Sequence, residues 1–246
     1  MDTIKIQGKK TKMIAHRGVS SIERENTCPA FVAAGNRSYF GIETDIQVIA
    51  DGSFVAMHDD TTERVCLGKC IVDVRNGNIE ELKNVVLPDI DGSFSRSDIR
   101  IPTLEDYVKI CKKYGKVCIL EVKNVFAKGD IERMIEEIKA LDYLEGVIFI
   151  SIEYENRVNL RDLLPNAQIQ YLTGQRMDEK VIEMLTSINI DAGIDIDYAH
   201  PERNKQRIDL LHSHGIKVNV CTCDDPDLAR EIIDFGADFL TTNCLE

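Results

Sequence analysis

The stretch KVCILEVKNVFAKGDIERMIEEIKALDYLEGVIFISI, residues 116–152, contains three segments of different periodicity. Both ends are short apolar runs bounded by turn or cap residues, as expected for buried parallel strands. Between them, apolar residues recur at helical spacing, at Ile131, Met134, Ile135, Ile138 and Leu141. Strand, helix and strand in this order predict a βαβ unit, and therefore a parallel sheet covered by helices.

The same alternation extends in both directions along the chain. Together with the two strands above, apolar runs near residues 13, 44, 170, 194, 219 and 240 bring the number of predicted strands to eight. Cap and stop residues delimit the helices between them, predicted over Thr27 to about Ala34, Thr103–Tyr114, Asp178–Ser187, Pro201–His214 and from Asp225 to Gly236.

Eight β/α steps of about two dozen residues each predict an α/β fold of the (β/α)8 barrel type, a TIM barrel. We expect residues 1–246 to form one domain, with the polar, turn-rich residues 59–100 as a small inserted subdomain after the second strand. A doubly wound open sheet is the alternative, but it usually has fewer strands and a Gly-rich first turn. Neither feature matches this chain.

The composition excludes several classes of partner. The formal net charge of −12 disfavours nucleic acid, and neither a basic patch nor an apolar run indicates membrane insertion. No secretory signal is visible at the start, so we expect a cytoplasmic protein. The eight cysteines have no CxxC spacing, and we interpret them as reduced thiols.

Acidic side chains lie on two of the predicted strands. Glu43 and Asp45 are two residues apart on one strand and share a face, as Glu121 does with Lys123 on another. If these faces line a barrel, three carboxylates enter a partly dry space, where each unpaired charge would cost several kcal/mol. Oxygen ligands suit a hard cation, Mg²⁺ or Ca²⁺. The alternative is that the acids pair with barrel lysines and arginines.

We expect two histidines and two cationic side chains at the same end of the barrel as these acids. His16 ends the first strand, and His58 follows an apolar run that we expect to fold back on the second strand as a hairpin. Histidine is suited to donate and accept protons near neutral pH, so the pair suggests an acid and a base. Arg17 and Lys123 would place positive charge beside the acids, which suits a phosphate oxygen.

Six motifs in register, AHRG, ENT, GIETD, HDDTTER, IPTLEDY and LEVK, closely resemble the glycerophosphodiester phosphodiesterase family over almost the whole chain. The resemblance implies a TIM barrel with an inserted subdomain that hydrolyses small-molecule glycerophosphodiesters to sn-glycerol 3-phosphate and an alcohol, using a divalent metal. By this resemblance, the catalytic acid/base pair is His16 and His58, and the metal ligands are Glu43, Asp45 and Glu121. The phosphate-binding cations are Arg17 and Lys123, and the supporting residues are Asn26 and Thr27.

Two positions depart from the family pattern. Cys221 stands where the family commonly has Trp, and Asn243 stands where it has Asp. The short C-terminal segment leaves the covering of the last strand open, either to the N-terminal segment or to a second copy in a homo-oligomer. Other interpretations are a phospholipase D-like or cyclising enzyme on the same barrel, and a non-catalytic barrel that binds phosphorylated ligands.

Overall fold

A computed structural model describes residues 2–174 and 178–246 of the chain. Its centre is a closed barrel in which the first strand pairs in parallel with both the second and the last. The eight parallel strands are β1 Lys12–Ala15, β2 Gly41–Val48, β4 Val117–Val122, β5 Val147–Ser151, β6 Gln168–Gly174, β7 Asp191–Asp195, β8 Val218–Cys221 and β9 Phe239–Thr242. The predicted TIM barrel is therefore confirmed.

Helices cover the outside of the barrel and connect its strands. They are α1 Cys28–Gly35, α3 Leu104–Tyr114, α4 Lys128–Ala140, α5 Tyr154–Leu163, α6 Glu179–Ser187, α7 Pro201–Ser213 and α8 Pro226–Asp234. Their apolar sides pack against the outer face of the strands in the main hydrophobic cluster. This two-layer arrangement buries most residues of the parallel strands on both faces, which explains the apolar runs in strands such as β5.

Start and stop residues predicted α1, α3, α6, α7 and α8, and apolar spacing predicted α4, whereas α5 was not predicted. Thr103 and Asp106 make a reciprocal capping box at the start of α3, and Gly115 ends the helix with φ of 63°. The side chains of Thr27, Asp178 and Asp225 accept backbone N–H groups at the starts of α1, α6 and α8. The predicted boundaries agree with the observed ones to within one or two residues.

The predicted hairpin after β2 is also confirmed. The strand β3, Phe54–Ala56, pairs antiparallel with β2. The following residues contain one short helix, α2 Ile79–Asn84, and otherwise turns. Their buried apolar side chains form a second cluster with Val55 and Met57, separate from the main core. Residues 59–100 are thus attached to the carboxyl end of β2 through the hairpin.

Inside the barrel, the side chains change in character from one end to the other. Near the amino ends of the strands an apolar cluster includes Ile14, Ile119 and Phe239. Further along, Asn219 hydrogen bonds to Gln170 and Thr241 at 3.1 and 3.0 Å. Acidic side chains follow at the carboxyl ends, the face on which TIM-barrel enzymes carry their active sites.

The N-terminal segment covers the end of the chain, one of the two expected arrangements. Ile4 pairs in parallel with Leu245, and the N–H of Ile6 donates to the carbonyl of Glu246. Leu245 is fully buried in the main cluster. In the described part of the chain, no helix has both the length and the apolar character to cross a membrane.

Candidate active site

Three buried carboxylates converge at the carboxyl ends of β2 and β4. Glu43, Asp45 and Glu121 are each at most 6% exposed, and one oxygen of each lies within 4.8 Å of the other two. The register of the strands produces this arrangement, because Asp45 lies directly beside Glu121 in the parallel ladder. The sequence predicted that these three side chains converge inside the barrel, and the distances between their oxygens agree with that prediction.

Basic side chains compensate part of this negative charge. Nζ of Lys123 lies 3.3 Å from Asp45 and 3.1 Å from Glu121, and Nε of Arg17 lies 3.3 Å from Asp45. Glu43 instead accepts a hydrogen bond from the backbone N–H of Arg17 at 2.8 Å. The salt-bridge alternative is therefore realised in part, yet three carboxylates face two permanent cations.

The pKa values express this imbalance. Burial, and then the charges of Asp45 and Glu121, raise the pKa of Glu43 well above its usual range. Burial and Asp45 also raise the pKa of Glu121, although Lys123 opposes the shift. Burial acts in the same direction on Asp45, but there Arg17 and Lys123 outweigh it and lower the pKa. Two of the three acids thus lack sufficient positive charge around them.

A divalent cation fits this set of donors. The donors are carboxylate oxygens, the ligands that Mg²⁺ and Ca²⁺ prefer. Their mutual separation, within 4.8 Å, is no more than twice a metal–oxygen distance of about 2.4 Å, so one ion can contact all three. A cation at this point would also favour the ionised forms of Glu43 and Glu121.

His16 lies beside the acids, at the end of β1. Its Nε2 is 3.9 Å from Glu43, and its Nδ1 is 2.8 Å from Oδ1 of Asn243. The Asn243 amide is oriented by Asp224, which accepts a hydrogen bond from its Nδ2 at 2.6 Å. Since Oδ1 can only accept, the hydrogen of neutral His16 lies on Nδ1, and Nε2 carries the free lone pair.

Burial and the charge of Arg17 lower the pKa of His16, so the neutral ring is favoured. Asn243 was noted in the sequence only as a departure from the family pattern. Its position next to the strand-end histidine required the barrel to bring the ends of β1 and β9 together.

His58 has an anionic partner instead of a neutral one. Its Nδ1 lies 2.6 Å from Oδ1 of Asp59, whose Oδ2 accepts a hydrogen bond from Nε of Arg64 at 2.6 Å. Although partial burial opposes the shift, the hydrogen bonds from Arg64 and His58 lower the pKa of Asp59. Asp45 interacts electrostatically with both His16 and His58, so the two rings border the same acidic cluster.

The residues expected to give support lie directly behind the acids. Nδ2 of Asn26 donates to Asp45 at 2.8 Å, and Oδ1 of Asn26 accepts from Thr44 at 2.8 Å, which orients the amide. Thr27 caps α1 and makes no contact of this kind with the acids. Asn26 is thus placed to orient Asp45, whereas Thr27 fixes the start of the helix that follows.

Glu25, the first residue of the motif ENT, has a role in the site that the sequence did not predict. Its carboxylate accepts hydrogen bonds at 2.8 Å from both Arg17 and Arg64. Burial opposes ionisation, but these two guanidinium groups lower the pKa of Glu25 to about 2. Arg64 was likewise present in the motif HDDTTER, without a role. No sequence pattern joins these two residues, which are 39 positions apart.

Cys221 lies on the opposite side of the barrel mouth, on β8. Its thiol donates to the carbonyl of Ile194 at 3.6 Å. Burial and the nearby carboxylates of Asp195 and Glu121 raise the pKa of this thiol, so it stays neutral. A small neutral side chain therefore occupies the place where the resemblance leads one to expect tryptophan.

Comparison with known sequences identifies relatives of the chain. The sequence profile of the glycerophosphoryl diester phosphodiesterase family matches residues 16–246, a range that includes the strand ends and residues 59–100. A glycerophosphodiester phosphodiesterase of Caldanaerobacter subterraneus subsp. tengcongensis is 32% identical over 167 residues, which cover 66% of this chain and 67% of the relative.

Solved structures share the same barrel. A phosphodiesterase of Oleispira antarctica, determined in complex with the product sn-glycerol-3-phosphate, superposes with a TM-score of 0.77 at 23% identity, covering 94% of this chain and 92% of the other. A putative glycerophosphoryl diester phosphodiesterase of Agrobacterium tumefaciens has a TM-score of 0.81 at 18% identity, with 95% and 93% covered. At these identities the superpositions support the fold.

Proposed function

The chain belongs to the glycerophosphoryl diester phosphodiesterase family and is a hydrolase of glycerophosphodiesters, and from this premise we propose how its site performs the reaction. The products are sn-glycerol 3-phosphate and an alcohol. The observation that carries the proposal is the convergence of Glu43, Asp45 and Glu121 within 4.8 Å. The product bound to the Oleispira antarctica phosphodiesterase supports the assignment of this small-molecule class.

These three acids would hold a divalent metal ion, Mg²⁺ or Ca²⁺. When bound, such an ion neutralises charge on the phosphodiester and polarises its oxygens. Arg17 and Lys123 lie against the same acids and would contact the remaining phosphate oxygens, since phosphoryl transfer depends mainly on positioning and charge stabilisation. Both cations form ion pairs with Asp45, so their positions are set before the substrate binds.

We propose different roles in proton transfer for the two histidines, because their hydrogen-bond partners differ. His16 faces the neutral amide of Asn243 and keeps Nε2 free, so it accepts the proton of the attacking oxygen. His58 donates Nδ1–H to the carboxylate of Asp59, which orients the ring and leaves Nε2 for proton transfer, so we assign it as the group that gives a proton to the leaving alkoxide. The attacking oxygen belongs to water or to the neighbouring glycerol hydroxyl, the latter giving a cyclic phosphate first.

Turnover of a panel of glycerophosphodiesters tests this proposal. We expect release of sn-glycerol 3-phosphate that stops with a chelator and returns when Mg²⁺ or Ca²⁺ is added. Phosphorus NMR of the products distinguishes the attacking oxygens, and a cyclic phosphate as the final product would assign the chain to the cyclising class. Failure to hydrolyse any diester with metal restored would favour a non-catalytic barrel.

We also propose a cytoplasmic location, which the eight free cysteines support.

A further inference from the structure

Five polar side chains form a continuous network of hydrogen bonds around one side of the site. Arg17 donates to Glu25 at 2.8 Å, and Glu25 accepts two further bonds from Arg64, each at 2.8 Å. Nε of Arg64 then donates to Asp59 at 2.6 Å, and Asp59 lies 2.6 Å from Nδ1 of His58. This network begins at Arg17, a proposed phosphate contact, and ends at His58, the proposed acid.

We propose that Arg64 is a positioning residue for both halves of the reaction, acting on Arg17 through Glu25 and on His58 through Asp59. This inference rests on the proposed function of the same site. Arg64 belongs to the insertion, whereas Arg17 follows the first barrel strand. The insertion is therefore part of the catalytic apparatus, although it contributes none of the proposed metal ligands.

The geometry of the guanidinium group makes this double role specific to arginine. Arg64 uses Nε for one carboxylate and both terminal nitrogens for the other. These donors are coplanar and fixed relative to each other, so the two carboxylates are oriented together. A lysine at the same position would provide the positive charge but only a single ammonium group, and could not make this fork.

Each of the two carboxylates bound by Arg64 orients one functional group. Glu25 accepts a hydrogen bond from Nη1 of Arg17 at 2.8 Å, whereas Nε of the same guanidinium lies 3.3 Å from Asp45 without a hydrogen bond, so Glu25 provides the contact that orients Arg17. Asp59 accepts from Nδ1 of His58, which leaves Nε2 as the atom available for proton transfer. Displacement of reacting groups by about 1 Å can cost about 100-fold in rate.

The insertion also contains a matched control. Arg75 pairs with Asp60 at 3.0 Å, and its side chain is 50% exposed, against 49% for Arg64. Exposed single ion pairs of this kind contribute little to stability. Arg75→Gln therefore removes the same charge from the same segment, from a pair whose acid directly follows Asp59.

Kinetic constants of Arg64→Gln, Arg64→Lys and Arg75→Gln on sn-glycero-3-phosphocholine test the proposal. We expect Arg64→Gln to lower kcat/KM by about 10- to 100-fold, affecting both kcat and KM. Arg64→Lys should recover part of that loss, because charge is restored without the fork. Arg75→Gln should resemble the wild type, and the melting temperature of each variant verifies that it is folded.

Single variants of Glu25 and Asp59 test the two contacts of Arg64 separately. Glu25→Gln should mainly raise KM, because it releases Arg17, and Asp59→Asn should mainly lower kcat, because His58 loses the carboxylate that orients its ring. With an activated nitrophenyl diester, whose leaving group needs no proton, the defect of Asp59→Asn should shrink while that of Glu25→Gln remains. A residue with only a structural role would not produce this split.

Nitrogen NMR of the imidazoles gives a readout that does not depend on turnover. We expect His58 to be protonated on Nδ1 in the wild type and to lose this preference in Arg64→Gln. Kinetic constants and a His58 tautomer that are the same in folded Arg64→Gln as in Arg75→Gln would overturn the proposal. Wild-type protein that hydrolyses no diester would instead overturn the proposed function, and the tautomer would still report on the positioning.

Discussion

Oδ1 of Asn243 accepts a hydrogen bond from Nδ1 of His16 at 2.8 Å. Asp224 fixes the orientation of the Asn243 amide, because it accepts hydrogen bonds from the backbone N–H of Asn243 at 2.7 Å and from its Nδ2 at 2.6 Å. The amide cannot rotate without losing a charge-assisted hydrogen bond. A neutral side chain thereby imposes one tautomer on His16, without adding a negative charge to an already acidic site.

Asn243→Ala should therefore reduce kcat by about 10- to 100-fold, because the ring of His16 loses the bond that orients it. Ser20→Ala is the matched control, since the hydroxyl of Ser20 donates to the same Oδ1 at 2.6 Å without contacting His16. We expect that control to stay within a few-fold of the wild type. Equal losses in both variants would show that the whole loop, and not the tautomer, determines the rate.

His16→Ala and His58→Ala should each lower kcat by about 100-fold or more, because each removes a proposed proton-transfer group. His214→Ala provides the comparison, since that ring lies exposed at the end of α7 and hydrogen bonds to the carbonyl of Leu210 at 3.0 Å. Rates are measured with saturating metal, so that changes in metal affinity are excluded. Activity retained in both site variants would remove the histidines from the chemistry.

The sequence predicted those parts of the fold that depend on local patterns. Helix caps such as Thr103 with Asp106 act over three residues, and strand periodicity determines which side chains of β2 and β4 enter the barrel. Both signals are complete within one element. They were sufficient to place Glu43, Asp45 and Glu121 on inward faces at the same end of the barrel.

Contacts between distant elements could not be obtained in this way. Glu25 and Arg64 meet only because the insertion folds back over the loop after β1, and a single sequence contains no pattern that sets this approach. The pairing of Lys123 with Asp45 depends on the register between β2 and β4. The sequence therefore identified the residue types of the site, whereas their partners required the tertiary structure.

Metal binding should be measurable as a change in stability. We expect Mg²⁺ or Ca²⁺ to raise the melting temperature of chelator-treated protein, because a ligand that binds only the folded state stabilises it. Glu43→Gln should abolish this increase and most of the activity. Without metal it should be no less stable than the wild type, since burial and neighbouring carboxylates raise the pKa of Glu43.

Glu136→Gln serves as the control for this metal experiment, because Glu136 is exposed on α4 and pairs only with Lys139 in the described contacts. It should retain both the metal-dependent increase and the activity. An increase of the same size in Glu43→Gln as in the wild type would place the metal elsewhere.

Glu25 should make stability depend on pH in a defined range. Although burial opposes the shift, Arg64 and Arg17 lower its pKa from 4.5 to about 2 on folding. A lowered pKa means that the stabilisation is complete above pH 4.5 and is lost as the pH falls towards 2. At about 1.4 kcal/mol for each pKa unit, the contribution is about 3 kcal/mol.

Urea unfolding of the wild type and Glu25→Gln at several pH values measures this contribution. The difference in the free energy of unfolding should be constant near neutral pH and should narrow as the pH falls below 4.5. A difference that does not change over this range would mean that ionisation of Glu25 makes no contribution to stability.

The turn after β1 places Arg17 against Glu43, and Gly18 makes that turn feasible. Arg17 and Gly18 both have positive φ, of 53° and 78°. A Cβ on Gly18 would lie 2.6 Å from the backbone and Cβ of Ala30 in α1, closer than any real contact. Gly18→Ala must therefore displace the loop from the helix, and with it the guanidinium of Arg17 and the backbone N–H that binds Glu43.

Gly236→Ala separates this steric effect from that of backbone conformation. Gly236 also has positive φ, of 91°, but a methyl group added to its Cα would meet no described atom within 4 Å. Both variants should lose about 1 kcal/mol from the left-handed conformation, and Gly18→Ala should lose about 1–3 kcal/mol more together with at least tenfold in kcat/KM. Gly18→Ala with the stability and activity of Gly236→Ala would show that the loop adjusts without moving Arg17.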